Sequence, residues 1–232
     1  MEYLYCNNRN FEDFSSGRVL YGGEGIPNFP VRLLNEIFGR ALSHSGKKTD
    51  LNVYDPCCGG GYSLTVLGFF HSDIISRIYG SDIDSRMTDF AKRNIGLLTM
   101  EGIHSRRLEL KDMLRQYKKE SHAQALQSLD RLQAMLQKEL PAEIFQADCT
   151  KELPPVRPDI IVTDIPYGNL ATWKSKEDSP LYTMLHQLAR ISHKGTVLAV
   201  ITDKGQKIDT ELWTRREKQS VGKRKFEILQ KT

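Results

Sequence analysis

Four aspartates each close a short apolar run: Asp55 after LNVY, Asp82 after IYGS, Asp148 after IFQA and Asp164 after IIVT. An ionised carboxylate only accepts hydrogen bonds, so it suits a ligand rich in donors, such as a ribose diol or an amine on a base. After the first of these acids and Pro56 stands Cys57-Cys58-Gly59-Gly60-Gly61. In such a turn a Cβ would block the tight backbone and keep a ligand off its amides. Asp82 follows Gly59 at close to the ~20-residue offset of a carboxylate that holds the hydroxyls of a bound nucleoside. Asp84 is a second candidate, and either acid could instead cap the next helix. After Asp164 comes Ile165-Pro166-Tyr167-Gly168, a proline turn carrying an aromatic ring. Acids at the ends of successive strands in an open α/β sheet line its ligand crevice, which makes these four one candidate site.

The other reactive side chains form no comparable pattern. His44, His71, His104, His122, His186 and His193 lack ligand-like spacing, and Cys6, Cys57, Cys58 and Cys149 contain no CxxC pair, so no metal is expected. Cys57 and Cys58 are adjacent, a spacing that rarely bridges. They could be read as nucleophiles for attack on a pyrimidine carbon, but their place in the glycine turn favours packing. Reduced thiols and an N-terminus without a basic-then-apolar leader predict a cytoplasmic protein. No run approaches the ~18 apolar residues of a membrane span. At 232 residues, 39% hydrophobic and 27% charged, the chain is long and apolar enough for one substantial core. A net charge of +4 favours an anionic partner only mildly.

Positioning the four acids requires alternating strands and helices. The patterns predict strands at 51–55, 76–84, 143–149, 158–164 and 196–201, with a last plausible strand at 226–229. Residues 158–164 and 196–201 are nearly continuous apolar runs, the mark of strands covered on both faces. Helices are predicted at 63–70, 85–97 and 180–192, and Pro30 opens another in which Val31, Leu34, Ile37, Phe38 and Leu42 recur at helical spacing. Residues 1–29 are irregular. Their Tyr3, Tyr5, Phe11, Phe14, Arg18 and Tyr21 read as a cover over a hydrophobic patch rather than a flap stacking on bases. The rhythm breaks at 101–140, where Leu110, Met113, Leu114 and Tyr117 form one stripe and Ala125, Leu129, Leu132, Leu136 and Leu140 another. This is a pair of amphipathic helices, or one long broken helix, inserted before the third strand. The expected organisation is an extension with its helix at 1–50, then one domain at 51–232 with the insertion at about 101–141.

This arrangement resembles the class I S-adenosylmethionine-dependent methyltransferases. The blocks DPCCGGGYSLTVLG, YGSDID and TDIPYG, with the insertion between strands two and three, are similar to the avilamycin-resistance 23S rRNA guanine methyltransferases, the AviRa family. The resemblance implies a Rossmann-like, mostly parallel sheet with an antiparallel C-terminal strand. It implies S-adenosylmethionine as cofactor, with Asp55, Cys57, Gly59 and Gly61 in the turn that holds the methionine part. Asp82, with Asp84, would hold the ribose, and Asp148, with Cys149, would approach the adenine. Asp164, Ile165, Pro166 and Tyr167 occupy the D-P-P-Y type motif of enzymes that methylate amines. Cys57 stands where the common first motif has a glycine, and Ile165 replaces the first proline of the last.

The second substitution leaves the chemistry intact. A guanine amine has its lone pair delocalised into the ring and must be held by two acceptors. The Asp164 carboxylate and the Ile165 carbonyl supply them, Pro166 keeps Ile165 extended, and Tyr167 stacks on the extruded base. The implied reaction is methyl transfer to guanine N2 or N1 of 23S rRNA, by a monomer that meets no membrane. Phosphate contacts are expected from Arg215, Arg216, Lys218, Lys223, Arg224 and Lys225, then from Lys174 and Lys176. Two alternatives remain at this point: an amine methyltransferase acting on DNA or protein glutamine, and a dinucleotide-dependent oxidoreductase, which would leave DIPYG without a role.

Overall fold

The computed structural model describes residues 1–15, 17–23, 28–165, 180–208 and 211–232. Strand β1 (Leu51–Asp55) lies inside a seven-stranded sheet. On one side of it run β2 (Ile75–Asp82) and β3 (Ala142–Gln146). On the other run β4 (Ile160–Asp164), β5 (Val197–Asp203), β7 (Arg224–Lys231) and β6 (Trp213–Val221). The order is β3-β2-β1-β4-β5-β7-β6. The first five strands are parallel. β7 is antiparallel to β5, and β6 antiparallel to β7, so β6 again points with the rest. The order reverses between β1 and β4, where an open α/β sheet forms its crevice. The apolar runs of β4 and β5 bury every position but the last, while the edge strand β3 has no buried position.

Helices cover both faces. Leu34, Ile37 and Phe38 of α1 (Val31–His44) and Leu64 and Leu67 of α2 (Tyr62–His71) pack with Val53, Ile78 and Ile160. Behind the opposite face, Leu181, Met184, Leu185 and Leu188 of α6 (Pro180–Ile191) meet Tyr54, Ile161, Leu198 and Leu229. α3 (Ser85–Gly96) follows β2. The insertion is two helices, α4 (Met100–Tyr117) and α5 (Glu120–Met135), broken where Lys118 turns left-handed with φ 50°. Ile103, Leu110, Leu129 and Leu132 carry their stripes into the first core.

Three features differ from the sequence expectations. The second strand ends at Asp82 rather than Asp84, because the Asp84 side chain accepts from the Arg86 amide and caps α3. The third ends at Gln146, ahead of Asp148, which lies in the following turn. β6 was not foreseen: its sequence, WTRREKQSV, buries only Trp213 and has no apolar alternation to reveal it. The described part of residues 1–29 does act as a cover. Phe14 stacks 5.1 Å from Phe70, and the fully buried Glu36 carboxylate accepts from the Leu4, Tyr5 and Cys6 amides at 2.9, 2.7 and 3.1 Å. No helix among the described residues is long and apolar enough to cross a membrane.

Candidate functional site

The C-terminal ends of β1, β2 and β4 bring three acids into one crevice. Asp55 is 4% exposed, and its Oδ1 accepts from the Cys57 amide at 3.0 Å. Burial pushes its carboxyl up to about 7, against the pull of the Cys57 amide and the Thr163 hydroxyl. The charges of Asp82 and Asp164 add to that rise, so the three carboxylates sense one another.

Asp82 shapes two loops at once. Its Oδ2 accepts from the Gly59 amide at 3.0 Å and its Oδ1 from the Asp84 amide at 2.9 Å. A carboxylate has about four acceptor positions, so room remains for the hydroxyls of a ligand. Gly59 has φ +51°, and a Cβ there would project into open space. Gly61 has φ +74°, caps α2, and would place a Cβ 2.8 Å from the Ala91 Cα. The first glycine therefore leaves a face of the turn open, and the second lets α3 close on it. Asp84, by contrast, is engaged by the Arg86 amide at 3.0 Å and the Arg86 guanidinium at 2.9 Å.

Asp148 holds its own turn after β3, accepting at Oδ1 from the Thr150 amide and hydroxyl at 2.9 and 2.6 Å. Next to it, the Cys149 sulfur lies 3.6 Å from that of Cys57, which joins the turns after β1 and β3. The Cys149 thiol and burial raise the Cys57 pKa well above its ordinary value, so Cys57 stays a neutral packing group. Under this floor the Tyr54 hydroxyl and Ser81 Oγ are 2.7 Å apart, and Ser81 donates to the Pro56 carbonyl. Sequence reasoning missed this buried pair, which looks like ordinary strand residues.

Asp164 ends β4 half-buried, in register with Ile201 of β5. Ile165 is buried, and its amide donates to the Ile201 carbonyl at 3.2 Å, so the start of the last motif is fixed to the sheet. Pro166, Tyr167, Lys174 and Lys176 lie outside the described residues. The C-terminal cations divide. Arg216, Lys218 and Lys223 are exposed. Lys225, expected as a phosphate contact, is instead 4% exposed and 2.9 Å from the fully buried Glu227, which Arg215 also meets at 2.5 Å. Alternation along β7 places Lys225 and Glu227 on a covered face, where a charge must find an opposite partner.

Residues 1–224 match the family described as rRNA methyltransferase AviRa. This chain belongs to the AviRa family of rRNA methyltransferases. A curated relative from Streptomyces viridochromogenes, a 23S rRNA (guanine(2535)-N(1))-methyltransferase, is 35% identical over 222 residues, covering 91% of this chain and 88% of the relative. The solved structure of the rRNA methyltransferase aviRa from that organism at 1.5 Å has a TM-score of 0.88 and 30% identity, covering 99% of this chain and 96% of the other. A more distant likeness, TrmN from Thermus thermophilus, has a TM-score of 0.54 at 14% identity over 88% of this chain and 49% of that one, and shares the fold alone. As an AviRa-family member the chain is an rRNA methyltransferase, and its sheet is the mostly parallel, Rossmann-like sheet the sequence predicts.

Proposed function

We propose that this chain transfers the methyl group of S-adenosylmethionine to N1 of a guanine in 23S rRNA, as a cytoplasmic monomer, with residues 51–232 as the catalytic domain. The observation that carries the reading is the convergence of Asp55, Asp82 and Asp164 around a glycine turn, with Gly59 open to the crevice. The curated relative's modification of guanine N1 supports the choice of atom.

When bound, the cofactor supplies an electrophilic methyl on a sulfonium. The residues of the chain do the rest. The open face at Gly59 admits the methionine part, Asp82 accepts from the ribose hydroxyls while keeping its two amide bonds, and Asp148 approaches the adenine amine. Asp82 and Asp164 give the crevice a negative field that favours a cationic ligand over its neutral product, while burial keeps the Asp55 carboxyl largely protonated. Asp164 and the Ile165 carbonyl hold the guanine edge, and Tyr167 stacks on the base. Guanine N1 carries a proton that must leave when the methyl is accepted, and Asp164 would take it as general base. Holding nucleophile and methyl in line supplies much of the rate. Arg216, Lys218 and Lys223 contact RNA phosphates.

The test is tritium transfer from methyl-labelled S-adenosylmethionine to unmodified 23S rRNA, 16S rRNA, DNA and total protein. Label confined to 23S rRNA is expected. Label only in DNA or protein would retain the methyl chemistry and reject the substrate.

A further inference from the structure

Asn94 of α3 is 1% exposed and has every polar hydrogen and its oxygen engaged. Its Oδ1 accepts from the Tyr21 amide at 2.7 Å, and its Nδ2 donates to the Tyr21 carbonyl at 3.0 Å. The same Nδ2 donates to the Gly60 carbonyl at 2.8 Å. One side chain therefore clamps a residue of the N-terminal segment and the middle of the glycine turn.

The turn has few other restraints. The peptide between Cys58 and Gly59 is held by Asp82, through the Gly59 amide. The peptide between Gly60 and Gly61 is held at its nitrogen by the Cys58 carbonyl, 2.9 Å away, and at its oxygen by Asn94. Glycines have no side chain to restrict rotation, so a ligand needing this turn in one shape depends on such external bonds. On the other side, the N-terminal segment is seated by the insertion. Arg106 of α4 donates to the Val19 carbonyl at 2.9 Å, and the Tyr21 ring lies between the guanidiniums of Arg93 and Arg106, 3.9 and 4.3 Å from its centre.

We propose that Asn94 is a positioning residue for the cofactor, one that sets the Gly60 carbonyl and couples docking of the N-terminal segment to the shape of the glycine turn. This gives the insertion a task that its sequence does not disclose: through Arg106 it holds the segment that Asn94 ties to the turn. The proposal rests on the reading of that turn as the S-adenosylmethionine site. Because coupling between sites is reciprocal, cofactor binding must also tighten the Tyr21 contact.

The test is calorimetric titration of the full chain with S-adenosylmethionine, comparing wild type, Asn94→Asp and Arg131→Ala. Asparagine and aspartate have nearly the same shape, and aspartate keeps the acceptor for the Tyr21 amide but cannot donate to the Gly60 or the Tyr21 carbonyl. Arg131 is half-exposed and pairs with Asp13 of the same segment at 2.6 Å, so its loss reports general loosening. Asn94→Asp removes both Nδ2 donations and should weaken cofactor binding at least about tenfold, the effect of losing the well-made buried hydrogen bond to the turn. It should raise KM for S-adenosylmethionine similarly while kcat at saturation stays within about twofold. Arg131→Ala should bind as wild type does. Equal affinity for wild type and Asn94→Asp, or equal weakening in both variants, would overturn the proposal. No binding by wild type would instead reject the cofactor reading itself. Amide hydrogen exchange on wild type is independent of whether the variant folds: S-adenosylhomocysteine should slow exchange at Tyr21, and an unchanged rate there would contradict the coupling.

Discussion

The two sides of the sheet are held by opposite means. On the β1–β3 side the acids hold the backbone of adjacent turns: Asp55 the Cys57 amide, Asp82 the Gly59 and Asp84 amides, Asp148 the Thr150 amide. On the β5–β7 side charge meets charge, with Lys225 and Arg215 on the buried Glu227. A carboxylate on backbone amides shapes a loop while keeping acceptor positions for a ligand. A carboxylate on two cations neutralises itself and seals a face. The first arrangement suits binding, as proposed for this crevice, and the second suits the scaffold beside it.

The sharpest way to break this contrast is Asp164→Ala. It should lower methyl transfer by ~10³-fold, the effect of losing a general base and an orienting acceptor together. S-adenosylmethionine affinity should stay near that of wild type. A comparable loss of affinity would mean that Asp164 belongs to the cofactor half.

Glu227→Ala should come next, lowering stability in denaturant by ~3 kcal/mol because it leaves Lys225 buried without its partner. A loss under ~1 kcal/mol, the usual yield of an exposed pair, would show that the cluster is wet. Lys218→Ala and Lys223→Ala should each weaken rRNA binding a few-fold and reduce the salt dependence by about one counterion. Lys218 and Lys223 are exposed where Lys225 is covered, so an unaltered salt slope would move the RNA surface elsewhere.

A pH-dependent effect concerns Asp55. Its carboxyl titrates near 7 in the fold against 3.8 ordinarily, so between those values the folded protein binds more protons than the unfolded one. Stability from this group is therefore full below pH 3.8 and lost as pH rises through 7. Asp55→Asn removes the ionisation, and its melting temperature relative to wild type should rise between pH 5 and pH 8. A constant difference across that range would show that Asp55 is not held neutral.

The same contrast explains how much could be read beforehand. Asp55, Gly59, Asp82 and Asp164 were legible because each motif's restraints lie within a few residues or at a fixed strand-turn-helix offset. The insertion and the fact of a break showed in its two stripes, but the residue at which it breaks did not. Lys118 adopts φ 50° between two polar segments, and nothing in its type announces a turn. Position favoured Asp82 over Asp84 for the ribose, and the Arg86 amide on Asp84 identifies Asp84 as the helix cap. β6 and the burial of Lys225 were invisible because both depend on pairing across strands, where sequence displays only a run of positive charge. Asn94 was hidden for a similar reason: its two partner residues, Gly60 and Tyr21, lie 34 and 73 residues away. Pro166 and Tyr167 rest on the motif alone.

The most direct measurement is nucleoside mass spectrometry of 23S rRNA after reaction with this protein and S-adenosylmethionine. The account predicts a single new 1-methylguanosine that is absent when Asp164→Ala replaces the wild type. N2-methylguanosine, or methylation of any other base, would contradict the role given to Asp164 as the group that takes the N1 proton.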